Sequence, residues 1–190
     1  CSDVAIVVSE ALEAGKAGPW QQYASLFEGL GTIRGALCEI QVEGGPVTQP
    51  NRSFNPKITE AYTEVVKQYL RDGIVVPSRS PYRMQPVIVM KKDGGVRVCV
   101  DYRPLNAITQ LFAYPCPSVK ALLDQLAGAE WFSKLDLAQG YMQIPIAEKD
   151  RHRTAFQGPP PYGLLEFTRM PFGLKNAPAI FQQVMESMFA

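Results

Sequence analysis

The chain has 190 residues, 46% apolar and 19% charged, with a net charge of +1. That apolar share can build a core and excludes a disordered tail, while no apolar run approaches the roughly 18 residues of a membrane span. The single histidine, His152, excludes metal motifs built on two histidines and leaves a serine or cysteine triad one candidate base.

Charge is unevenly spread: residues 1–66 sum to −4, residues 67–103 to +5 and residues 104–190 to zero. The basic middle segment reads either as a phosphate-facing patch or as a mixed solvated surface. Four cysteines, Cys1, Cys38, Cys99 and Cys116, show no C-x-x-C spacing. Cys99 lies in the apolar run VRVCV, which favours buried free thiols and a reducing, intracellular compartment (cytoplasmic or nuclear). The chain begins at Cys1 with no targeting segment visible and reads as a fragment.

In chain order, residues 1–54 have weak periodicity, with a helix expected around Trp20 to Phe27 and a glycine-rich stretch EGLGTIRG. VEGGPVTQPNRSFNP reads as an extended arm. The first clear element is a helix from Asn55 to Asp72. Asn55 can cap it, Pro56 suits its first position, and Ile58, Ala61, Tyr62, Val65, Val66, Tyr69 and Leu70 recur at helical spacing before Gly73 ends it. PVIVMK and VRVCVDY then read as a hairpin about Lys92-Asp93-Gly94-Gly95, with Val96, Val98 and Val100 on one face and Arg97, Cys99 and Asp101 on the other. Ser118 caps a short helix carrying Val119, Leu122, Leu123 and Leu126 on one face, with Gly128 at its end. WFSKLDL, YMQIPI, RTAF and LLEFTRM read as strands, and Asn176-Ala177-Pro178 opens a last helix bearing Ile180, Phe181, Val184, Met185, Met188 and Phe189. Strands interrupted by helices, with antiparallel hairpins, indicate α+β.

Asp136 ends an apolar strand just before the Gln139-Gly140 turn, where a carboxylate can serve a hard cation together with substrate phosphates. Taken alone it reads rather as a strand-edge carboxylate in a salt bridge. Arg97 could clamp phosphate oxygens as a fork, with Lys91 or Lys92 adding point charge. Asp150, Arg151 and Arg153, around His152, look like a solvated turn, so a small-molecule enzyme built on His152 has little support.

The order of blocks is more specific than any one of them. KKDGGVRVCVDYRPLN, LLDQLAGAEWFSKLDLAQGYMQIPI, HRTAF and EFTRMPFGLKNAPAIFQQVM together resemble the fingers and first half of the palm of reverse transcriptases, those of gypsy-type long-terminal-repeat retrotransposons above all. The resemblance covers Ile74 to Phe189, with a weaker echo in FEGLGTIRG and the proline-rich arm. It implies an incomplete ferredoxin-like antiparallel sheet with helices on one face. The regions would be an extension over residues 1–54, fingers over 55–115 and partial palm over 116–190.

It further implies that Asp136 is the first metal-binding aspartate, with the Leu137 carbonyl sharing that metal. Arg97 and either Lys91 or Lys92 would meet the incoming triphosphate. Tyr141, otherwise a core residue, would pack under the deoxyribose and exclude a 2′-hydroxyl. Phe172 and Gly173 would line the nucleotide pocket, and Asn176, Ala177 and Pro178 would carry the template strand.

The implied reaction is attack of a primer 3′-oxygen on the α-phosphate of a deoxynucleoside triphosphate, aided by two Mg²⁺ ions on an RNA or DNA template. Implied partners are the remaining Pol domains: rest of palm, thumb, ribonuclease H and integrase, with no membrane. The family's paired-aspartate motif has no counterpart in the sequence, so the 190 residues alone are expected to be inactive. GPPPYG departs from the family's usual loop. The alternative is a decayed or co-opted retroelement remnant acting as a non-catalytic nucleic-acid-binding module. An uncovered apolar face on the Asn176–Phe189 helix is also expected, with poor solubility or self-association.

Overall fold

A computed structural model of the chain describes residues 6–7, 29–90, 95–115, 117–130 and 136–189. Its helices are α1 (Pro56–Arg71), α2 (Arg103–Ile108), α3 (Val119–Gln125), α4 (Glu148–Arg151) and α5 (Ala177–Phe189). Its strands are β1 (Ile6–Val7), β2 (Val75–Pro77), β3 (Pro86–Met90), β4 (Val96–Val100), β5 (Asp136–Leu137), β6 (Phe156–Gln157) and β7 (Leu164–Phe167). They form antiparallel ladders β1-β5, β2-β7-β6 and β3-β4, so the chain is α+β. The helix expected around Trp20 to Phe27 and the WFSKL portion of the expected strand lie outside the described residues.

Local chemistry explains the clearest elements. Asn55 caps α1 by accepting from the Ile58 amide at 2.9 Å, Pro56 opens the helix where its missing N–H is harmless, and Gly73 takes φ +65° just beyond its end. On the inward face Tyr62 and Val66 are buried, and the Tyr62 hydroxyl donates to the Gln157 carbonyl at 2.7 Å. The hairpin pairs Pro86 with Val100 and Met90 with Val96. Val96, Val98 and Val100 face inward and Arg97 outward, as alternation requires, while Cys99 is only half-buried.

Residues 30–50 run extended across the molecule and are hydrogen-bonded along their length. The Ile33 amide donates to the Gln143 carbonyl (2.9 Å), Cys38 to Pro145 (2.8 Å), Glu43 to Ile108 (2.8 Å) and Gln49 to Arg83 (2.8 Å). One buried cluster joins Ile33, Cys38 and Ile40 to Tyr62 and Val66 of α1, to Val98, Val100 and Leu105, and to Phe156, Leu165, Ile180 and Val184. Burial pushes the Cys38 thiol up to about 12, with the Asp150 and Glu39 charges acting in the same direction.

Several expectations are corrected. YMQIPI does not form a strand: Gly140–Gln143 is a single 3₁₀ turn, followed by bridges Pro145–Arg169 and Cys38–Ile146. Met142, Gln143 and Ile144 are all buried in succession, which a pleated strand with one wet face does not allow. RTAF contributes only Phe156 to β6, because His152–Thr154 is another 3₁₀ turn. The turn read as solvated buries Asp150 to 2% exposure. The last helix is not left uncovered either, since Ala177, Ile180 and Val184 are buried and Phe181, Met185 and Met188 pack against the same core. It is α3 that presents its apolar face to solvent: Val119 is 73% exposed and Leu123 62%.

Candidate active site

Asp136 opens β5 and its side chain is exposed; its Cα partner across the ladder is Val7. Two residues beyond β5 the chain reverses sharply. Gln139 adopts a left-handed conformation (φ 48°, ψ 47°), and the 3₁₀ turn Gly140–Gln143 follows. The turn is held from within, as the Gln143 side-chain amide donates to the Ala138 carbonyl at 2.8 Å. Gly140 is required by packing: a Cβ there would stand 2.9 Å from the Phe181 ring and 3.4 Å from the Leu137 Cβ.

This reversal delivers Tyr141 into an aromatic group. Its ring centroid lies 5.2 Å from that of Phe172 and 5.1 Å from that of Phe181, edge to face in the second case. Partial burial raises the Tyr141 hydroxyl above its ordinary pKa, so the phenol stays neutral at physiological pH. Phe172 is 51% exposed, at the tip of the turn before α5. Gly173 follows with φ +93°, its Cα side facing the Tyr102 ring and the Val100 carbonyl, each 3.6 Å from where a Cβ would lie.

Three of the expected positions form the start of α5. Asn176 is 8% exposed, and its amide is committed on both sides, donating to the Gln110 carbonyl (2.8 Å) and accepting from the Phe112 amide (3.1 Å). Ala177 is buried and Pro178 exposed.

The structure therefore brings Tyr141, Phe172 and Gly173 together beside the α5 start. Leu137 is half-buried below them, one position from Asp136. Arg97 is exposed on β4, in a separate ladder, and no hydrogen bond, ion pair or ring contact joins it to Asp136 among the described residues. Lys91 and Lys92 lie outside the described residues.

Some of the described cations of the basic segment are bonded locally. Lys67 pairs with Glu64 (2.6 Å), Arg103 with Asp101 (2.7 Å), and Arg83 donates to the Gln49 carbonyl (3.0 Å). Hydrogen bonding from Arg103 holds the Asp101 carboxyl well below its usual range. Among the described residues no three His, Cys, Asp or Glu side chains gather where they could hold a metal ion. Asp136 thus offers one hard-cation ligand and not a complete site.

Sequence reasoning gave no role to Phe181 beyond the helix face, nor to Asn106, whose side chain bonds the Phe172 turn. Neither carries a local signal, because each acts across more than 30 positions of sequence on a turn it meets only in the fold.

The family described as reverse transcriptase (RNA-dependent DNA polymerase) matches residues 89–190. The Retrovirus-related Pol polyprotein from transposon gypsy of Drosophila melanogaster is 41% identical over 137 residues, covering 69% of this chain and 13% of that protein. The chain therefore spans about one eighth of that relative's length. Among solved structures, the native foamy virus protease-reverse transcriptase aligns over 83% of this chain and 20% of its own, at 26% identity and TM-score 0.69. The foamy viral enzyme in complex with an RNA/DNA hybrid aligns over 98% of this chain and 25% of its own, with TM-score 0.80 at 22% identity, a likeness of fold alone. No described helix is long and apolar enough to cross a membrane. Match, relatives and fold agree, and the chain belongs to the reverse transcriptase family, as part of a gypsy-type retrotransposon Pol polyprotein.

Proposed function

We propose that this chain supplies the fingers and the front of the palm of an RNA-directed DNA polymerase, and that Tyr141 is its sugar-selecting residue. The observation that carries the reading is the sharp reversal after Asp136. It places an exposed carboxylate and a ring wedged between Phe172 and Phe181 at two ends of one short turn. A nucleotide whose phosphates lie toward Asp136 would set its ribose against the Tyr141 ring, where a 2′-hydroxyl has no room. Arg97 would contribute a fork to the triphosphate, with Lys91 or Lys92 beside it. Pro178 is the exposed member of the α5 start and would meet the template strand, with Asn176 and Ala177 shaping the backbone beneath it.

Asp136 would hold a divalent cation, Mg²⁺ by its preference for carboxylate and phosphate oxygens, and the Leu137 carbonyl would lie beside it. A two-cation centre draws carboxylates from more than one strand. The described residues offer Asp136 alone, so no chemical step is assigned to this chain by itself. Remaining Pol domains, template, primer and deoxynucleoside triphosphates are the proposed partners. The free Cys38 and Cys99 thiols support a reducing, intracellular setting.

The test is nucleotide titration of the 190-residue chain, followed by amide NMR, with dGTP and with GTP in the presence of Mg²⁺. The deoxynucleotide is expected to bind more tightly. Tyr141→Ala should lower that preference by about tenfold, equivalent to about 1.4 kcal/mol. Asp136→Asn should remove the Mg²⁺ dependence of binding. No nucleotide binding, or a preference untouched by Tyr141→Ala, defeats the reading. Primer extension by the chain alone is expected to be absent.

A further inference from the structure

We propose that Asn106 is a positioning residue for the Tyr141–Phe172 pair, and through it sets sugar selectivity. This rests on the nucleotide reading given above. Phe172 is half-exposed, so burial does little to hold its ring 5.2 Å from Tyr141. Phe181, on the other side of Tyr141, belongs to α5, whose inward residues anchor it in the core. Of the two rings that flank Tyr141, the one on the turn is the one free to drift.

The Asn106 carboxamide is bonded to that turn at both ends. Its Nδ2 donates to the Gly173 carbonyl at 2.8 Å and its Oδ1 accepts from the Lys175 amide at 2.8 Å. The partners fix the orientation of the amide, because a carbonyl can only accept and a backbone N–H can only donate. Two bonds from one planar group bracket Leu174, two positions past Phe172, much as a neighbouring strand would. Asn106 is itself rigidly placed: it sits in α2, directly after β4, and its own amide donates to the Tyr102 carbonyl at 2.7 Å. Lys175 adds a third tie, its ammonium donating to the Thr109 carbonyl at 2.7 Å. The hairpin strand that carries Arg97 is thereby joined, through α2 and Asn106, to the wall of the sugar site.

Removing the carboxamide unbinds the Gly173 carbonyl and the Lys175 amide while leaving the core untouched. Phe172 can then swing from Tyr141, and the Tyr141 ring can tilt to admit a 2′-hydroxyl. Two readouts on the whole chain test this: hydrogen exchange at the Lys175 amide, and the dGTP-to-GTP affinity ratio with Mg²⁺. For Asn106→Ala, exchange should accelerate at least tenfold and the ratio should fall at least threefold. Asn106→Asp keeps the acceptor for Lys175 but sets a carboxylate oxygen against the Gly173 carbonyl, so it should lower the ratio at least as far as Asn106→Ala; it also serves should the alanine variant fail to fold. A loss of folded protein lowers both affinities together and leaves the ratio unchanged.

A ratio unchanged in both Asn106 variants but abolished by Tyr141→Ala overturns the role of Asn106 and leaves the nucleotide reading standing. A chain that binds neither nucleotide overturns both.

Discussion

A carboxylate that is 2% exposed must find its partners inside the protein, and Asp150 does. Its Oδ2 accepts from the Ile40 amide at 3.0 Å and its Oδ1 from Arg153 at 2.6 Å, while Arg153 also donates to the Ile40 carbonyl. Two side chains thus pin residue 40 to a turn 110 positions later. In the sequence, Asp150 and Arg153 have the i,i+3 spacing of an ordinary surface pair, and nothing near them marks Ile40 as the third member. That is why the turn read as solvated. Asp150→Ala leaves the Arg153 guanidinium and the Ile40 amide without their carboxylate acceptor. We expect it to lower unfolding stability in urea by about 3 kcal/mol, the usual loss when one partner of a buried pair is removed. Glu64→Ala, which breaks the exposed pair with Lys67, should change stability by less than about 0.5 kcal/mol. Equal effects from the two substitutions would show that the Asp150 pair is no more buried than the other.

Among elements, those with local causes were readable. Helix α1 has its cap, its first-turn proline and its terminal glycine within 19 consecutive residues, and the β3–β4 hairpin has its alternation and its turn residues in one block. Asn55→Ala removes the acceptor of the Ile58 amide and should lower stability by about 1 kcal/mol, measurable in the same urea titration. A loss below about 0.3 kcal/mol would mean that the α1 end is held by its packing and not by its cap. Ser118 caps α3 as its sequence suggests, accepting from the Ala121 amide at 3.2 Å, yet nothing local told which way its apolar face would turn. The segment Gly140–Ile146 was misread for a related reason. Its apolar residues alternate loosely with others, which suits a strand, but its path is dictated by the close approach of Phe181 to Gly140 and by Gln143 reaching back to Ala138. Tyr141 was legible only through resemblance to a family, since a ring between two other rings is also how a core tyrosine looks.

At the scale of the whole molecule, burial and charge redistribute what composition suggested. Among the described residues of the basic middle segment, Lys67 and Arg103 are paired with carboxylates and Arg83 is bonded to the Gln49 carbonyl, whereas Arg97 is exposed. The buried cluster absorbs the inward face of α5 with the help of Ile33, Cys38 and Ile40, residues whose register no periodicity announced. Among the described residues, exposed apolar side chains concentrate on α3: Val119, Leu122, Leu123 and Leu126 all stand in solvent, and Leu111 is 70% exposed. Four large aliphatic side chains on a seven-residue helix and its cap exceed what a freely soluble surface usually presents. The chain is therefore expected to self-associate through this face, with sedimentation coefficients that rise with concentration in the tens of micromolar range. Val119→Lys with Leu123→Lys should suppress the association without altering the urea midpoint, because neither side chain belongs to the core and Lys suits an exposed helix. If the wild-type chain sediments as a monomer throughout that range, the α3 face is too small or too mobile to drive contact. If both forms associate equally, the contact lies elsewhere.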